Sequence, residues 1–317
     1  MSKVIGIDLG TTFSAIASLD DLGNPEVLPS IEDNRKITAS AVYLKDKEVI
    51  VGDKALNYLK DQSYNVILQT KREMENDVVY STDEGKWVKD KDLIGAYTPA
   101  QVSSLILKKL KEYTSDVKKV VITVPAMFAE KARQATLDAA KIADLEVIEL
   151  INEPTAAVLH YASLPGVEVG GRVMIFDLGG GTFDVTFAEV KNKKVDVMTS
   201  RGDKYLGGRD FDKEITKLMK KKYFDIHNVE IDIENNKEYI HKAEEVKKIL
   251  SVKDKANIEI NGPKGSQKIE ITLEEFEESI QTYIEKIKML IEEAMEASSM
   301  NPSRINQTLL VGGSTRM

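Results

Sequence analysis

Two similar stretches, about half a chain length apart, decide the fold of this protein. The first is Val4-Ile-Gly-Ile-Asp-Leu-Gly-Thr-Thr-Phe-Ser14, and the second is Val173-Met-Ile-Phe-Asp-Leu-Gly-Gly-Gly-Thr-Phe-Asp184. Each has an apolar strand, then Asp-Leu-Gly, then small or hydroxyl residues, and then Thr-Phe and a returning strand. A self-similar pattern at this distance indicates an internal duplication. The sequence therefore predicts two lobes, each built on one glycine-rich hairpin, which face each other across a cleft.

The residue types in both hairpins suit phosphate binding. Glycines lack a Cβ atom, so the backbone can turn tightly and bring N–H donors against phosphate oxygens. Asp8 and Asp177 end their strands, and carboxylates facing a triphosphate would repel it without a metal, so we expect Mg²⁺ there. A single glycine-rich segment would indicate a tight turn, but the matched pair favours phosphate binding. The predicted phosphate-binding residues are Gly10, Thr11, Thr12, Gly179, Gly180, Gly181 and Thr182.

Composition excludes several classes of function. The 317 residues suggest two domains, and 42% hydrophobic with 30% charged residues is typical of a globular protein. A net charge of −8 argues against binding nucleic acid by phosphate neutralisation. The lack of cysteine excludes disulfides, cysteine nucleophiles and thiolate metal sites, and the three scattered histidines argue against a histidine metal site or a hydrolytic triad. No apolar run approaches the ~20 residues needed to span a bilayer, so we expect no membrane association and a cytoplasmic location.

Strand and helix signals alternate along the chain, which predicts an α/β fold. Residues 38–97 are less regular and are predicted to form an inserted subdomain, in which Trp87 packs rather than acts. Asn152 is expected to cap the helix that follows it. Thr272 and Glu275 form a capping-box pattern at the start of a single helix that is predicted to end near residue 298.

Six motifs that occur in order make the pattern specific. They are Ile7-Asp-Leu-Gly-Thr-Thr-Phe-Ser14, Val124-Pro-Ala126, Asn152-Glu-Pro-Thr-Ala-Ala157, Phe176-Asp-Leu-Gly-Gly-Gly-Thr-Phe-Asp184, Leu206-Gly-Gly208 with Asp210-Phe-Asp212, and Val311-Gly-Gly-Ser-Thr-Arg316. From Val4 to Arg316 the chain resembles the N-terminal ATPase domain of the seventy-kilodalton heat-shock chaperones, the DnaK type. The resemblance implies an actin-like, ribonuclease H-like α/β fold with two lobes and Mg·ATP in the cleft between them.

The same resemblance implies a division of each lobe into two subdomains. Lobe I is expected over residues 1–168, with a core subdomain of 1–37 and 98–168 and a peripheral subdomain of 38–97. Lobe II is expected over residues 169–317, with a core subdomain of 169–206 and 283–317 and a peripheral subdomain of 207–282.

The resemblance also implies roles for particular residues. Lys71 looks like the lysine that positions the attacking water and contacts the γ-phosphate, and Thr182 like the threonine near that phosphate. Asp177, or else Asp8, would orient or deprotonate the water. The acidic residues implied around Mg²⁺, monovalent cations such as K⁺ and the water are Asp8, Glu153, Asp177 and Asp184, of which Asp8, Asp177 and Asp184 are the expected metal ligands. Further contacts to ATP or ADP are implied for Phe13, Gly207, Gly208, Glu244, Lys247, Lys248, Ser251, Gly313, Ser314 and Arg316.

The sequence departs from the family pattern at several positions. Met127 and Lys204 stand where the family often has Tyr and Thr, and Phe13 replaces a common Tyr, so we expect changes in rate or nucleotide affinity but not in reaction class. The chain stops after the adenosine motif, before any interdomain linker, peptide-binding domain or lid, so a fragment is expected.

The partners implied are client peptides, bound through a C-terminal domain missing from this chain, together with a J-domain co-chaperone and a nucleotide-exchange factor. Pro125, Arg133 and Glu153 resemble the residues that couple nucleotide state to that missing domain. Two alternatives stay open: a small-molecule kinase on the same fold, for which no acceptor-site motif is found, and a filament-forming actin-like protein.

Overall fold

The computed structural model of this chain describes residues 4–46, 48–61, 63–90, 92–115, 117–164, 170–191 and 194–317. Helices and strands alternate, so the predicted α/β class is confirmed. The chain divides into two compact units, the first comprising Met1–Val169 with Lys193–Val195 and the second Gly170–Asn192 with Asp196–Met317. The lobe boundary predicted between residues 168 and 169 lies outside the described residues.

The first unit is built around one large sheet with helices packed on it. Its strands are β1 (Val4–Asp8), β2 (Phe13–Leu19), β3 (Pro25–Val27), β4 (Thr38–Ala39), β5 (Val42–Lys45), β6 (Glu48–Val51), β7 (Val66–Ile67), β8 (Val79–Ser81), β9 (Lys86–Val88), β10 (Lys119–Val124) and β11 (Glu146–Asn152). Its α-helices are α1 (Asp53–Leu56), α2 (Pro99–Lys111), α3 (Glu130–Ile142) and α4 (Glu153–Ser163).

The large sheet has the strand order β11-β10-β1-β2-β3, and β4 also pairs with β2. β1 runs antiparallel to β2 but parallel to β10, because the chain returns to β10 through the helix α2. Alternate residues such as Ile5, Ile7 and Ile122 are buried against α2 and α3, as the period of two in a strand requires. This pairing brings Asp8, at the carboxyl end of β1, opposite Thr123 of β10.

The inserted segment predicted over residues 38–97 contains two small sheets besides β4. One has the order β6-β5-β7, and the other pairs β8 with β9. Trp87 lies in β9 and packs edge to face on Tyr80, with ring centroids 5.3 Å apart. The predicted packing role of this tryptophan is therefore confirmed.

The second unit repeats the hairpin arrangement of the first. Its strands are β12 (Gly171–Leu178), β13 (Phe183–Lys191), β14 (Lys194–Asp203), β15 (Lys255–Gly262), β16 (Gly265–Thr272) and β17 (Gln307–Val311). Its α-helices are α5 (Gly208–His227), α6 (Lys237–Leu250), α7 (Leu273–Ser279) and α8 (Gln281–Ala297). The main sheet has the order β14-β13-β12-β17, in which β12 is antiparallel to β13 and parallel to β17. The order β17-β12-β13 repeats the β10-β1-β2 order of the first unit, as the duplication predicts.

The prediction of a single long helix from Thr272 to residue 298 is wrong, because the structure has two helices in this segment. The predicted capping box is confirmed, because the Thr272 hydroxyl accepts from the Glu275 N–H and the Glu275 carboxylate accepts from the Thr272 N–H. The first helix ends at Ser279, and the backbone leaves the helical conformation at Ile280 (φ −99°, ψ 3°) before α8 begins. The two helices pack on different elements, since α7 packs on α5 and β16, whereas α8 packs on β13.

Within the described ranges, no helix combines enough length with enough apolar character to cross a bilayer.

Candidate functional site

In the first unit, the turn after β1 has a shape that only glycine permits. A Cβ atom on Gly10 would lie 2.0 Å from the carbonyl oxygen of Phe13. The Gly10 N–H donates to the Ser14 hydroxyl at 3.2 Å, and the Ser40 hydroxyl donates to the Gly10 carbonyl at 2.8 Å. The buried hydroxyl of Thr12 has no hydrogen-bond partner among the described residues. An unpaired buried hydroxyl is costly, so this turn fits a ligand with acceptor oxygens, such as a phosphate.

The structure brings Lys71 and Glu153 together, although 82 residues separate them in sequence. Lys71 lies in a short 3₁₀ helix (Thr70–Glu73), its side chain is only 7% exposed, and its ammonium group forms an ion pair with the Glu153 carboxylate. The ammonium nitrogen also lies 5.9 Å from the centroid of the Phe128 ring. Burial raises the pKa of Glu153, the charge of Lys71 opposes that rise, and the charge of Asp8 adds to it. Three predicted catalytic side chains of this unit therefore interact.

The side chains of Asp8 and Asn152, at the ends of two strands of the first unit, have different hydrogen-bond partners. One Asp8 oxygen accepts from the Thr123 hydroxyl at 3.0 Å, and the residue is otherwise exposed, so its carboxylate is accessible to a ligand. Asn152 occupies the N-cap position of α4, but the predicted capping hydrogen bond is absent in this described segment. Its side-chain oxygen accepts instead from Arg133 at 2.7 Å, and Arg133 also donates to the Phe128 carbonyl. The predicted N-cap position is confirmed, but the capping hydrogen bond is not formed, because a distant arginine takes the acceptor oxygen.

In the second unit, the glycine-rich turn packs against the start of α5. The Gly208 N–H donates to the Gly179 carbonyl at 3.0 Å, and the Arg209 N–H donates to the Gly180 carbonyl at 2.8 Å. A Cβ atom on Gly207 would lie 2.7 Å from the backbone nitrogen of Gly181. The two glycine segments, Gly179–Gly181 and Gly207–Gly208, thus pack against each other, and together they are called the glycine loop. Thr182 closes the turn by accepting from the Gly179 N–H at 3.0 Å through its carbonyl.

Asp177 and Asp184 are direct partners across the β12–β13 hairpin. Like charges placed opposite each other on a sheet destabilise it, and a cation between them would relieve that repulsion. No group of three or more acidic or histidine side chains suited to a metal occurs among the described residues. Mg²⁺ bound to a nucleotide needs only one or two carboxylates, since phosphates and waters complete its shell. The Asp177–Asp184 pair therefore fits such an ion.

Two of the residues predicted to hold adenosine, Lys247 and Ser314, contact the same glycine loop of the second unit. The Lys247 ammonium donates to the Gly208 carbonyl at 2.8 Å, and the Ser314 hydroxyl donates to the Gly179 carbonyl at 3.0 Å. Lys247, Glu244 and Ser314 are buried. The remaining predicted contacts are the exposed Lys248, the half-buried Ser251 and the exposed Gly313 and Arg316 of the final 3₁₀ turn.

Glu244 has the most strongly lowered pKa in this group, at about 2. Burial alone would raise it, but the His241 ring, whose Nδ1 lies 3.7 Å from the carboxylate, and the positive charges of Lys248 and Lys247 outweigh burial. The Lys248 ammonium lies 3.1 Å from the Glu244 carboxylate. Glu244 is therefore held as a carboxylate, which can accept hydrogen bonds from a sugar hydroxyl.

Sequence reasoning missed a group of buried charges at the start of α5, among them Asp212. Asp212 is completely buried, and its carboxylate lies 2.7 Å from the Lys247 ammonium. The sequence does contain the motif Asp210-Phe-Asp212, but the motif by itself indicates no role for its second aspartate.

Each unit has a glycine-turn hairpin with a parallel strand beside its first strand, and this repeated arrangement agrees with an actin-like α/β protein. The chain belongs to the Hsp70 family, whose model, described as "Hsp70 protein", matches residues 4–317. The actin-like fold implied by the motifs is thereby confirmed.

Two similar proteins, both called "Chaperone protein dnaK", come from Thalassiosira pseudonana and Trieres chinensis. Each is 36% identical over 345 aligned positions. The alignments cover 100% of this chain but only 57% of the first relative and 56% of the second. The chain thus spans little more than half the length of the curated relatives it matches.

Proposed function

We propose that this chain binds Mg·ATP and hydrolyses it to ADP and phosphate, as the motor domain of a molecular chaperone. The observation that carries this proposal is the buried Lys71, held by Glu153 and close enough to Asp8 for the three charges to interact. Ionisable groups whose pKa values are shifted by burial and by a specific charged partner concentrate at functional sites. Membership of the Hsp70 family supports the assignment of nucleotide chemistry to this cluster.

Hydrolysis of a phosphoanhydride needs positioning and electrostatic stabilisation more than covalent help. Lys71 supplies positive charge for the γ-phosphoryl oxygens and orients the attacking water, while Glu153 restrains its ammonium group. Asp177 is our first choice for the group that accepts a proton from that water, and Asp8 is the second. Mg²⁺, when bound, would neutralise phosphate charge; we assign the Asp177–Asp184 pair of the second unit to it, and Asp8 of the first unit stays a predicted metal ligand.

The nucleotide itself is proposed to be held by the turn residues. Gly10, Thr11 and Thr12 in the first unit bind phosphate oxygens, with Phe13 beside them. In the second unit Gly179–Thr182 bind phosphate, and Glu244, Lys247, Lys248, Ser251, Gly313, Ser314 and Arg316 hold adenosine.

The wider biology of the chain is also a proposal. By its family, it would couple hydrolysis to peptide binding by a C-terminal domain, and work with a J-domain co-chaperone and a nucleotide-exchange factor. K⁺ as a second ion and a cytoplasmic location remain predictions.

Single-turnover hydrolysis of γ-labelled ATP with Mg²⁺ tests this function. Wild type is compared with Lys71→Ala and with Lys131→Ala, an exposed lysine of the same unit paired to Asp77 at 2.9 Å. We expect acceptor-independent phosphate release that falls about 10²-fold or more in Lys71→Ala and not in Lys131→Ala. Equal rates in Lys71→Ala and wild type would contradict the role of Lys71.

The hydrolysis assay and a sedimentation measurement together distinguish an ATPase from a small-molecule kinase and from a filament-forming protein. Transfer of label only to an added small acceptor would favour the kinase, and nucleotide-dependent sedimentation would favour the filament. Absence of ATP binding by the wild-type chain would contradict the proposed function.

A further inference from the structure

Asp212 lies on the second turn of α5, and its carboxylate is fully buried. A buried carboxylate needs a nearby positive charge to offset the loss of water. The Asp212 side chain has 0% exposure, and its Oδ1 atom lies 2.7 Å from the Lys247 ammonium, whose side chain is itself only 10% exposed. Arg209, one helical turn earlier, is also buried, and its positive charge acts on the same carboxylate. An isolated buried charge is costly, so these three groups depend on one another.

The Lys247 ammonium connects this buried charge to the glycine loop. It donates to the Gly208 carbonyl at 2.8 Å, and the Gly208 N–H in turn donates to the Gly179 carbonyl at 3.0 Å. There is little free space around the connection, because a Cβ atom on Gly208 would lie 2.9 Å from the Lys247 nitrogen and 2.4 Å from the Ser314 hydroxyl. A shift of the ammonium group would therefore move the loop.

We propose that Asp212 is a positioning residue for nucleotide binding: its carboxylate holds the Lys247 ammonium against the Gly208 carbonyl and so keeps the glycine loop ready for phosphate. The inference rests on the proposed function, because it concerns the affinity of the same loop for nucleotide. Asp212 does not touch the nucleotide, since it is completely buried, and it acts only through Lys247.

The charges that face Asp212 predict how this arrangement responds to pH. They are Lys247 and Glu244 from α6 and Arg209 from α5, and Glu244 in turn faces Lys248 and His241. Burial raises the pKa of Asp212 to about 6, although Lys247 and Arg209 oppose the rise. Asp212 therefore gains a proton as the pH falls through about 6, whereas Glu244, with a pKa of about 2, stays ionised. We expect the ion pair with Lys247 to weaken over this range, and nucleotide affinity with it.

The test measures the dissociation constant of Mg·ADP by calorimetry at pH 7.5 and pH 5.5. Wild type is compared with Asp212→Asn and with a matched control, Asp225→Asn, which makes the same change at an exposed position of α5. We expect Asp212→Asn to bind ADP at least tenfold more weakly at pH 7.5 and to show a smaller pH dependence than wild type. The ADP phosphates titrate in the same way with every variant. A difference in pH dependence between two variants therefore comes from the protein and not from the ligand.

A double variant separates positioning from general damage to the fold. In a Lys247→Met background, Asp212→Asn should cause no further loss of ADP affinity, because Asp212 acts through Lys247. Asp212→Glu keeps the charge and should bind ADP within about threefold of wild type, and it replaces Asp212→Asn as the informative variant if the latter does not fold.

Each outcome decides one point. The positioning role would be overturned if folded Asp212→Asn bound ADP as wild type does. It would also be overturned if the two losses of affinity added up in the double variant, or if folded Asp212→Glu bound ADP tenfold more weakly than wild type. A wild-type chain that does not bind ADP would instead overturn the proposed function and this inference together.

Discussion

Replacing Lys71 by methionine is expected to destabilise the first unit by about 3 to 5 kcal/mol at pH 8. The change keeps most of the apolar stem beside Phe128 but removes the ammonium group that pairs with Glu153. The Glu153 carboxylate, only 16% exposed, is then left buried without its cation. Removing one partner of a buried pair costs far more than the pair contributes, because the other charge stays desolvated.

The loss should shrink as the pH falls, and the sign follows from the pKa of Glu153. Burial already raises this pKa above the ordinary value of 4.5, and removing Lys71 takes away the charge that opposes the rise. A carboxyl with a raised folded-state pKa binds a proton more readily when folded than when unfolded. Its penalty is therefore greatest above the raised pKa and decreases as the pH falls toward 4.5. A second change, Glu153→Gln, should recover at least half of the loss at pH 8.

Urea unfolding followed by Trp87 fluorescence measures the effect. This is the only tryptophan of the chain, and it packs on Tyr80 in the first unit, so its signal reports that unit even if the second unfolds separately. Lys131→Met is the matched control, since its ion pair with Asp77 is half exposed and should contribute less than about 1 kcal/mol.

Two results would refute the reasoning. One is a free energy of unfolding for Lys71→Met within about 1 kcal/mol of wild type at pH 8. The other is a double variant with Glu153→Gln that is no more stable than Lys71→Met alone.

Three further predictions concern the second unit. Gly207→Ala should weaken Mg·ADP binding at least tenfold by calorimetry, because the new Cβ would lie 2.7 Å from the Gly181 nitrogen. Gly170→Ala, which meets no atom within 4 Å, should bind as wild type does, and equal affinities in both variants would contradict the loop argument. Thr272→Ala removes a capping box and should lower the free energy of unfolding by about 1 kcal/mol in urea titrations followed by circular dichroism; no change would mean that the cap is redundant. Glu244, with a lowered pKa of about 2, contributes stability that is present above pH 4.5 and is lost as the pH falls through about 2; a carboxyl midpoint above pH 4 by NMR would be inconsistent with this.

The hairpins and their turns were predictable from sequence because they are local. The alternation of Ile5 and Ile7 sets the buried face of β1, and the crowding at Gly10 comes from Phe13, three residues away. The α/β class follows from the same local signals. Assignment of Lys71 to the site depended on the family resemblance, because one lysine in a charged segment carries no pattern of its own.

The features that sequence reasoning missed depend on distant partners. Asn152 has the right residue type for a helix cap, but Arg133 takes its acceptor oxygen. Ile280 breaks the long helix although neither glycine nor proline is present, and the helices α7 and α8 pack on different elements. Asp212 depends on Lys247, which lies on the next helix, and no periodicity in the sequence indicates that contact.

The parallel pairing of β12 with β17 has a consequence for the synthesis of the protein. The Arg172 N–H at the start of β12 bonds to the side chain of Asn306, which is 134 residues further along the chain. At roughly 5 to 20 residues per second, the ribosome needs on the order of ten seconds to supply the second partner after the first. Throughout that interval one edge of the nascent β12 strand has no neighbour, and unpaired strand edges promote aggregation. A chain from a chaperone family is thus expected to need shielding of its own while it is being translated.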